Sequence, residues 1–289
     1  MELVIQRENW VVQGSRLSAL TAGQPGQPML LLLHGIPASA ELWREVLPLV
    51  GRQGWYAVAP DLPGYGHTRA TPDSYSLRAT ADLVAAWLTC MTREKTWVVG
   101  HDLGGLVAQY LMVNHQEQLL GATLVNSPAG DSWPVPAVKG MMRAATKGLF
   151  APLAALGMMG RKRLFSGMKR AFGPSAELHE TDFIRVFYDG KFDRLQSALR
   201  FQRMLKELNP TDSRLLLEHL PVNLPVHLIW GMADKFQPWT GPGEVLQQKM
   251  PQAEVVQLLG VGHYVPMEQP RLIAEHIDSV LGKMSQLVR

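Results

Sequence analysis

Apolar and polar positions along this chain follow two different periods. Six short stretches are apolar almost without interruption: MLLLLHG (29–35), WYAVAPD (55–61), TWVVGHD (96–102), GATLVNS (121–127), VHLIWG (226–231) and AEVVQLLG (253–260). Continuous runs of this length suit strands covered on both faces of a parallel sheet. The opening MELVIQRENW instead alternates apolar and polar residues, the pattern of an outer strand. Between the strands, apolar residues recur at helical spacing over about 40–50, 77–91, 104–115, 241–249 and 267–282. This alternation predicts a largely parallel sheet wrapped by helices and joined by right-handed crossovers.

One interval breaks the rhythm. From Asp131 to Leu220 only helical patterns occur, punctuated by Gly and Pro, between the sixth and seventh strand patterns. The interval opens at a strand C-terminus, where open α/β sheets place their ligands. The expectation is a core of residues 1–130 and 221–289 with a helical cap, or lid, of 131–220. Met141, Met142, Met158, Met159 and Met168 lie in that cap. Core filling is their default reading, although flexible thioethers also suit an adaptable apolar pocket. A small, hydrophobic organic molecule is the expected partner.

Composition narrows the picture further. A chain of 289 residues with 46% hydrophobic and 18% charged residues can bury one core plus a modest insertion. It has neither the long uncharged apolar run of a membrane span nor the basic-then-apolar start of a signal peptide, so a cytoplasmic location is expected. The single cysteine, Cys90, excludes an internal disulfide or thiolate cluster and reads as an inert core thiol. No histidine pair has zinc spacing, and neither a metal nor a cofactor is expected. Net charge is only +3, but residues 139–170 carry eight cations (Lys139, Arg143, Lys147, Arg161, Lys162, Arg163, Lys169 and Arg170) and no acid. Such a run suits a solvated helical face, a membrane surface, an anionic substrate or nucleic acid. The last lacks interleaved aromatics or a motif, and no nucleic-acid partner is expected. Nothing in the sequence speaks to oligomeric state.

The sharpest chemical feature is Gly100-His101-Asp102-Leu103-Gly104-Gly105, between a strand pattern and the helical LVAQYLMVNH. A G-x-nucleophile-x-G turn there holds its central residue in strained geometry and exposes its side chain. The N–H of Leu103 then faces the reacting oxygen at the positive end of the helix. A second oxyanion donor is expected from Ile36, in His34-Gly35-Ile36-Pro37 after the third strand, with Pro37 a candidate cis proline. His34 reads first as a brace of that loop, with contact to a leaving group as the alternative.

With HGIP, Asp61-Leu62-Pro63-Gly64-Tyr65-Gly66 and GHDLGG in this order, the chain resembles the α/β-hydrolase superfamily along nearly its whole length outside the cap. Aspartate at the elbow makes it similar to the epoxide hydrolase and haloalkane dehalogenase branch, and GHDxGG with HGxP is nearest the epoxide hydrolase pattern. The resemblance implies an eight-stranded, mostly parallel sheet and a nucleophile–acid–histidine order. Asp234, just past VHLIWG, stands where the acid belongs, and His263, after VVQLLG, where the histidine belongs. Asn126-Ser127 offers no carboxylate at the alternative acid position; Asp131 is the nearest substitute, and Asp61 reads as a loop brace.

A carboxylate is already ionised near neutral pH, its reference pKa being about 4. It can attack an sp³ carbon directly, and His263 then activates the water that hydrolyses the resulting ester. The resemblance implies two lid tyrosines for an epoxide hydrolase, but this cap contains only Tyr188. For a dehalogenase it implies a tryptophan where Leu103 stands, and another donor where Ile36 stands. Trp133 offers an indole N–H at the cap's start, or a buried anchor. The expectation is therefore an epoxide hydrolase, with haloalkane dehalogenation, another C–O bond hydrolysis or cofactor-free general-base chemistry as alternatives. A binding protein that has lost turnover also remains open.

Overall fold

The computed structural model describes residues 4–156 and 160–287, excepting the side chains of 155, 281 and 283–287. Its eight strands are β1 (Gln6–Val12), β2 (Ser15–Ala22), β3 (Met29–Leu33), β4 (Tyr56–Pro60), β5 (Thr96–His101), β6 (Leu119–Val125), β7 (Val226–Gly231) and β8 (Glu254–Leu258). They form one sheet in the order β1-β2-β4-β3-β5-β6-β7-β8. β2 pairs antiparallel with both its neighbours, and every other pairing is parallel.

The continuous apolar runs are explained by two cores rather than one. All five residues of β3 are buried. Leu31 and Leu33 face a cluster with Val58, Val98 and Leu106, while Leu30 and Leu32 face a second with Ala57, Val99 and Trp97. Successive side chains point to opposite faces, so a strand covered on both must be apolar throughout. The first face is covered by α2 (Leu77–Met91), α3 (Leu103–Asn114) and α10 (Glu244–Lys249); the second by α1 (Leu47–Arg52) and α12 (Pro270–Leu287). Burying each such leucine contributes roughly 1.5–3 kcal/mol.

Several expectations need correction. The helix expected over 40–50 is a 3₁₀ turn, Ala40–Trp43, followed by α1. Pro48 lacks the N–H that an interior helical position donates, so it fits only in the first turn of α1. The helix expected from 241 begins at Glu244, because Gly241 has φ 128° and breaks the helical path. The last pattern divides into α11 (Val265–Glu268) and α12, which Pro270 opens. Cys90 is exposed rather than a core thiol. It lies near the C-terminal end of α2, where the helix leaves the core.

Between β6 and β7 the described residues form helices only. After a 3₁₀ turn at Gly130–Ser132 come α4 (Pro136–Thr146), α5 (Phe150–Ala155), α6 (Arg161–Lys169), α7 (Glu180–Phe183), a π-helical turn at Ile184–Tyr188, α8 (Leu195–Glu207) and α9 (Asp212–His219). This stretch packs on loops that leave the carboxyl ends of three strands. Ser39, after β3, donates to the Val186 carbonyl at 3.2 Å. The Tyr65 ring, after β4, meets Phe201 of α8 at 5.3 Å. His263, after β8, donates its backbone N–H to the Ala171 carbonyl at 2.7 Å. Met141, Met142 and Met168 are half-buried against the cores, whereas Met158 and Met159 lie outside the described residues. No helix among the described residues is long and apolar enough to cross a membrane.

Candidate active site

β5 ends in a turn whose sharpness its small residues permit. Asp102 sits at φ 50°, ψ −119°, a conformation that L side chains avoid, and its carbonyl accepts the first helical hydrogen bonds of α3, from Gly105 and Leu106. A Cβ on Gly100 would overlap the Gly104 carbonyl, and one on Gly104 would overlap the Leu33 carbonyl. The chain can therefore pass here only with glycine at both places. The Asp102 carboxylate is held against the loop after β3: Ile36 donates its N–H to Oδ1 at 2.9 Å. The Ile36–Pro37 peptide is cis.

The other expected residues meet it from loops distant in sequence. His263 Nδ1 is 2.7 Å from Asp234 Oδ2, and its Nε2 is 3.7 Å from Asp102 Oδ2. All three side chains are buried. Burial would raise the Asp234 pKa, but the adjacent His263 charge and hydrogen bond, with the N–H groups of Phe236 and Gln237, hold it low. Burial would likewise lower that of His263, yet Asp234 holds it above the ordinary value. Asp102 goes the other way: burial raises its pKa, only partly offset by His263 and by hydrogen bonds from Ile36 and Leu103. The arrangement therefore contains a carboxylate favoured in its ionised form, an imidazole made more basic and a second carboxylate made harder to ionise.

The supporting residues include Asn126 and Glu268, which no sequence motif marks. Asn126, at φ 42°, donates Nδ2–H to Asp234 Oδ2 at 2.6 Å and accepts the Gly231 N–H at 3.0 Å. It was legible only as a missing carboxylate, although a polar residue closing an apolar strand next to the acid's strand is a usable sign. Glu268 accepts from Gly262 and Gly173 at 3.0 and 2.9 Å, tying the His263 loop to the helical insertion. His101 packs 4.6 Å from the His263 ring and hydrogen-bonds its carbonyl through Nε2. Burial depresses the His101 pKa well below the ordinary value.

The remaining candidates separate. His34 accepts the Leu62 N–H at Nε2 and meets the Gly35 carbonyl at Nδ1, both at 3.0 Å. Both ring nitrogens are engaged, which fits a brace and leaves nothing for a leaving group; burial lowers its pKa to about 4. Asp61 accepts from Ala40, His67 and Arg7, each at 2.9 Å, as a loop brace would. Asp131 is exposed in the turn at Gly130–Ser132, while Asp234 holds the histidine. Trp133 is buried, and its indole Nε1 has no hydrogen-bond partner among the described residues. Tyr188 is half-buried in the π-helical turn, its ring 6.1 Å from Phe192 and 6.3 Å from Phe183.

Residues 28–270 match the alpha/beta hydrolase fold family, and the chain belongs to it. It is similar to epoxide hydrolase A of Mycobacterium tuberculosis, at 33% identity over 43% of this chain and 39% of that protein. It is also similar to a soluble epoxide hydrolase of a Corynebacterium species, at 34% over 47% of this chain and 48% of the relative. The chain thus matches half or less of the length of these two relatives. Among solved structures, the haloalkane dehalogenase DbeA of Bradyrhizobium elkani superposes with a TM-score of 0.80 over 98% of this chain and 100% of that one, at 22% identity. That likeness establishes the shared fold.

Proposed function

We propose that this hydrolase opens a strained C–O bond by direct attack of Asp102 on carbon, with an epoxide as the favoured substrate. The carrying observation is the unequal environment of the two Asp102 oxygens. Oδ1 rests on the Ile36 N–H at 2.9 Å, whereas Oδ2 stands 3.7 Å from His263 Nε2, beyond hydrogen-bond length. A serine-type nucleophile must be bonded to its base; a carboxylate need not be. Oδ2 is thus the attacking atom, and Oδ1 becomes the ester carbonyl oxygen, already seated on its donor. The epoxide C–O bond breaks and its oxygen takes a proton from a nearby acid. Water between Nε2 and the ester then loses a proton to His263 and adds to the carboxyl carbon. The N–H groups of Ile36 and Leu103 hold the oxyanion, and Asp234 stabilises the imidazolium. Collapse expels the ester oxygen, which takes the second proton of that water from the re-formed Asp102 carboxyl group to complete the diol. The imidazolium returns its proton to the acid, so one water is consumed and the carboxylate is regenerated.

In this reading residues 131–220 act as a cap that excludes bulk water from the reacting atoms, and the substrate is a small hydrophobic molecule. Tyr188, half-buried in the π-helical turn, is the proposed proton donor to the opening oxygen. A second reading, haloalkane dehalogenation, is favoured by the buried indole N–H of Trp133, unpartnered among the described residues, which would hold a halide. Both readings share the covalent step. After exposure of His263→Gln to an epoxide, the intact mass should rise by one substrate, with the adduct on the peptide containing Asp102. An unmodified protein that nonetheless binds the substrate would overturn the nucleophilic role and favour Asp102 as a general base.

A further inference from the structure

Helix α5 is apolar on both its inner and its outer side. Inward, Phe150, Ala151 and Ala154 are buried; the Phe150 ring lies 5.4 Å from Phe201 of α8, and the Ala151 N–H donates to Gln202 at 3.0 Å. Outward, Leu149 is 50% exposed and Leu156 76% exposed. Seven residues apart, they share one helical stripe, with Pro152 exposed and Leu153 half-buried between them. The bonds from Leu153 N–H to Leu149 and from Leu156 N–H to Pro152 keep that stripe helical. No charged residue occurs between Lys147 and Arg161. A helix facing water normally turns polar residues outward, and a contiguous apolar patch marks a contact surface.

Cations flank this stripe on both sides in sequence. Lys139, Arg143 and Lys147 recur every four residues along α4 and beyond its end, on one face leading to Leu149. Arg161, Lys162 and Arg163 open α6, and Lys169 and Arg170 close it. All eight are exposed, and among the described residues only Arg161 has a carboxylate partner, Glu180 at 2.9 Å.

We propose that this face docks on a lipid bilayer rich in anionic lipid. Leu149 and Leu156 enter the acyl boundary, and the flanking cations meet the headgroup phosphates. An apolar ridge with a basic rim is the arrangement that lies in a membrane interface without spanning it. Charge complementarity selects this occupant. In a symmetric pair of chains the same patch meets itself, so the cations of one copy would face those of the other. A nucleic acid would match the cations but leave the exposed leucines without a role. Leu149 and Leu156 stand exposed, whereas a small-molecule pocket encloses its lining. Because α5 packs on α8, and the Phe201 ring of α8 covers Tyr65 beside the elbow, the docked face is the outer side of the insertion over Asp102. An apolar substrate dissolved in the bilayer would be delivered to that side. The docking itself does not depend on which reaction Asp102 performs.

The test is flotation of the full chain with vesicles of phosphatidylcholine alone or of phosphatidylcholine and phosphatidylglycerol at roughly 2:1. The partition coefficient should be about tenfold or more higher on the anionic vesicles, and high salt should lower it. Leu149→Ser with Leu156→Ser, and separately Lys139→Gln with Arg143→Gln and Lys147→Gln, should each reduce it about tenfold. All these sites are exposed, so thermal unfolding should be unchanged and will report any misfolding. Equal partition to both vesicle types, or leucine variants that bind like the parent, would overturn the proposal. So would a parent that sediments as a dimer while the leucine variant sediments as a monomer, since the occupant would then be a second copy.

Discussion

Replacing Asn126 tests whether the acid must be braced from outside its own loop. In Asn126→Gly, Asp234 Oδ2 keeps its 2.7 Å bond to His263 but loses the 2.6 Å bond from Asn126, and the buried Gly231 N–H loses its acceptor. A hydrogen bond to a charged group contributes about 1.5–3 kcal/mol, and an orphaned buried donor costs about 1–3 kcal/mol. Together these predict a loss of roughly 2.5–6 kcal/mol of stability, less whatever water recovers. Asn126→Ala should lose about 1 kcal/mol more, because alanine at φ 42° pays the left-handed penalty that glycine escapes. Denaturant titration of the pair separates strain from bonding. The kinetic prediction is more selective. Asp234 stabilises the imidazolium only while His263 carries the water's proton, so ester hydrolysis should slow by about 10–100-fold, allotting about 1.4–2.8 kcal/mol of the lost bond to that step. Alkylation of Asp102, which does not use His263 as a base, should change little. Rapid-quench mass spectrometry reads both rates. A Gly variant that hydrolyses the ester at the parental rate would mean that Asn126 only pins β6 to β7.

Two further predictions use the same assay. Alkylation needs the ionised form of Asp102, whose pKa is raised, so its rate should fall with acidity already above the ordinary carboxylate value of about 4; ester hydrolysis needs neutral His263, also raised, so its rate should climb only above about 6.5. Single-turnover profiles with both midpoints at or below those reference values would contradict the electrostatics described for the site. Tyr188→Phe should slow adduct formation from an epoxide by about 10²–10⁴-fold while sparing a haloalkane, and Trp133→Phe should do the reverse; equal burst rates in all four combinations would leave both side chains as packing.

Most of the core was legible because its strands are covered on both faces. The central MLLLL and WVVG leave no polar position at which a half-exposed strand could fit, and the structure places strands at Met29–Leu33 and Thr96–His101. Glycines set the elbow for a similarly local reason: the close approach of β3 excludes a Cβ at Gly104, and that requirement is written directly in the sequence. Helix ends were less legible, because Pro48 and Gly241 act through backbone geometry that hydrophobic periodicity does not register. Cys90 was misjudged because its helix continues past the core that buries Leu83 and Trp87.

What the sequence hides in the site are the bonds made by backbone atoms and by residues with no chemistry of their own. His263 is fixed by Asp234 on one side, but its main chain is held by the Ala171 carbonyl and its loop by Glu268, neither of which belongs to a motif. Such partners satisfy a demand of folding, that every buried N–H find an acceptor, and any residue in reach can meet it. The reacting side chains have no such freedom. Their identity is set by the charge they must carry, and their position by strand ends that bring residues 36, 102, 126, 234 and 263 together across a parallel sheet. Residues whose type is dictated can be found by spacing, whereas those whose place alone is dictated emerge only once the chain is folded. Asn126 stands between the two, since its amide donates to one partner and accepts from another. An aspartate there would lose the donor and put a second negative charge beside Asp234, while an alanine would lose both bonds.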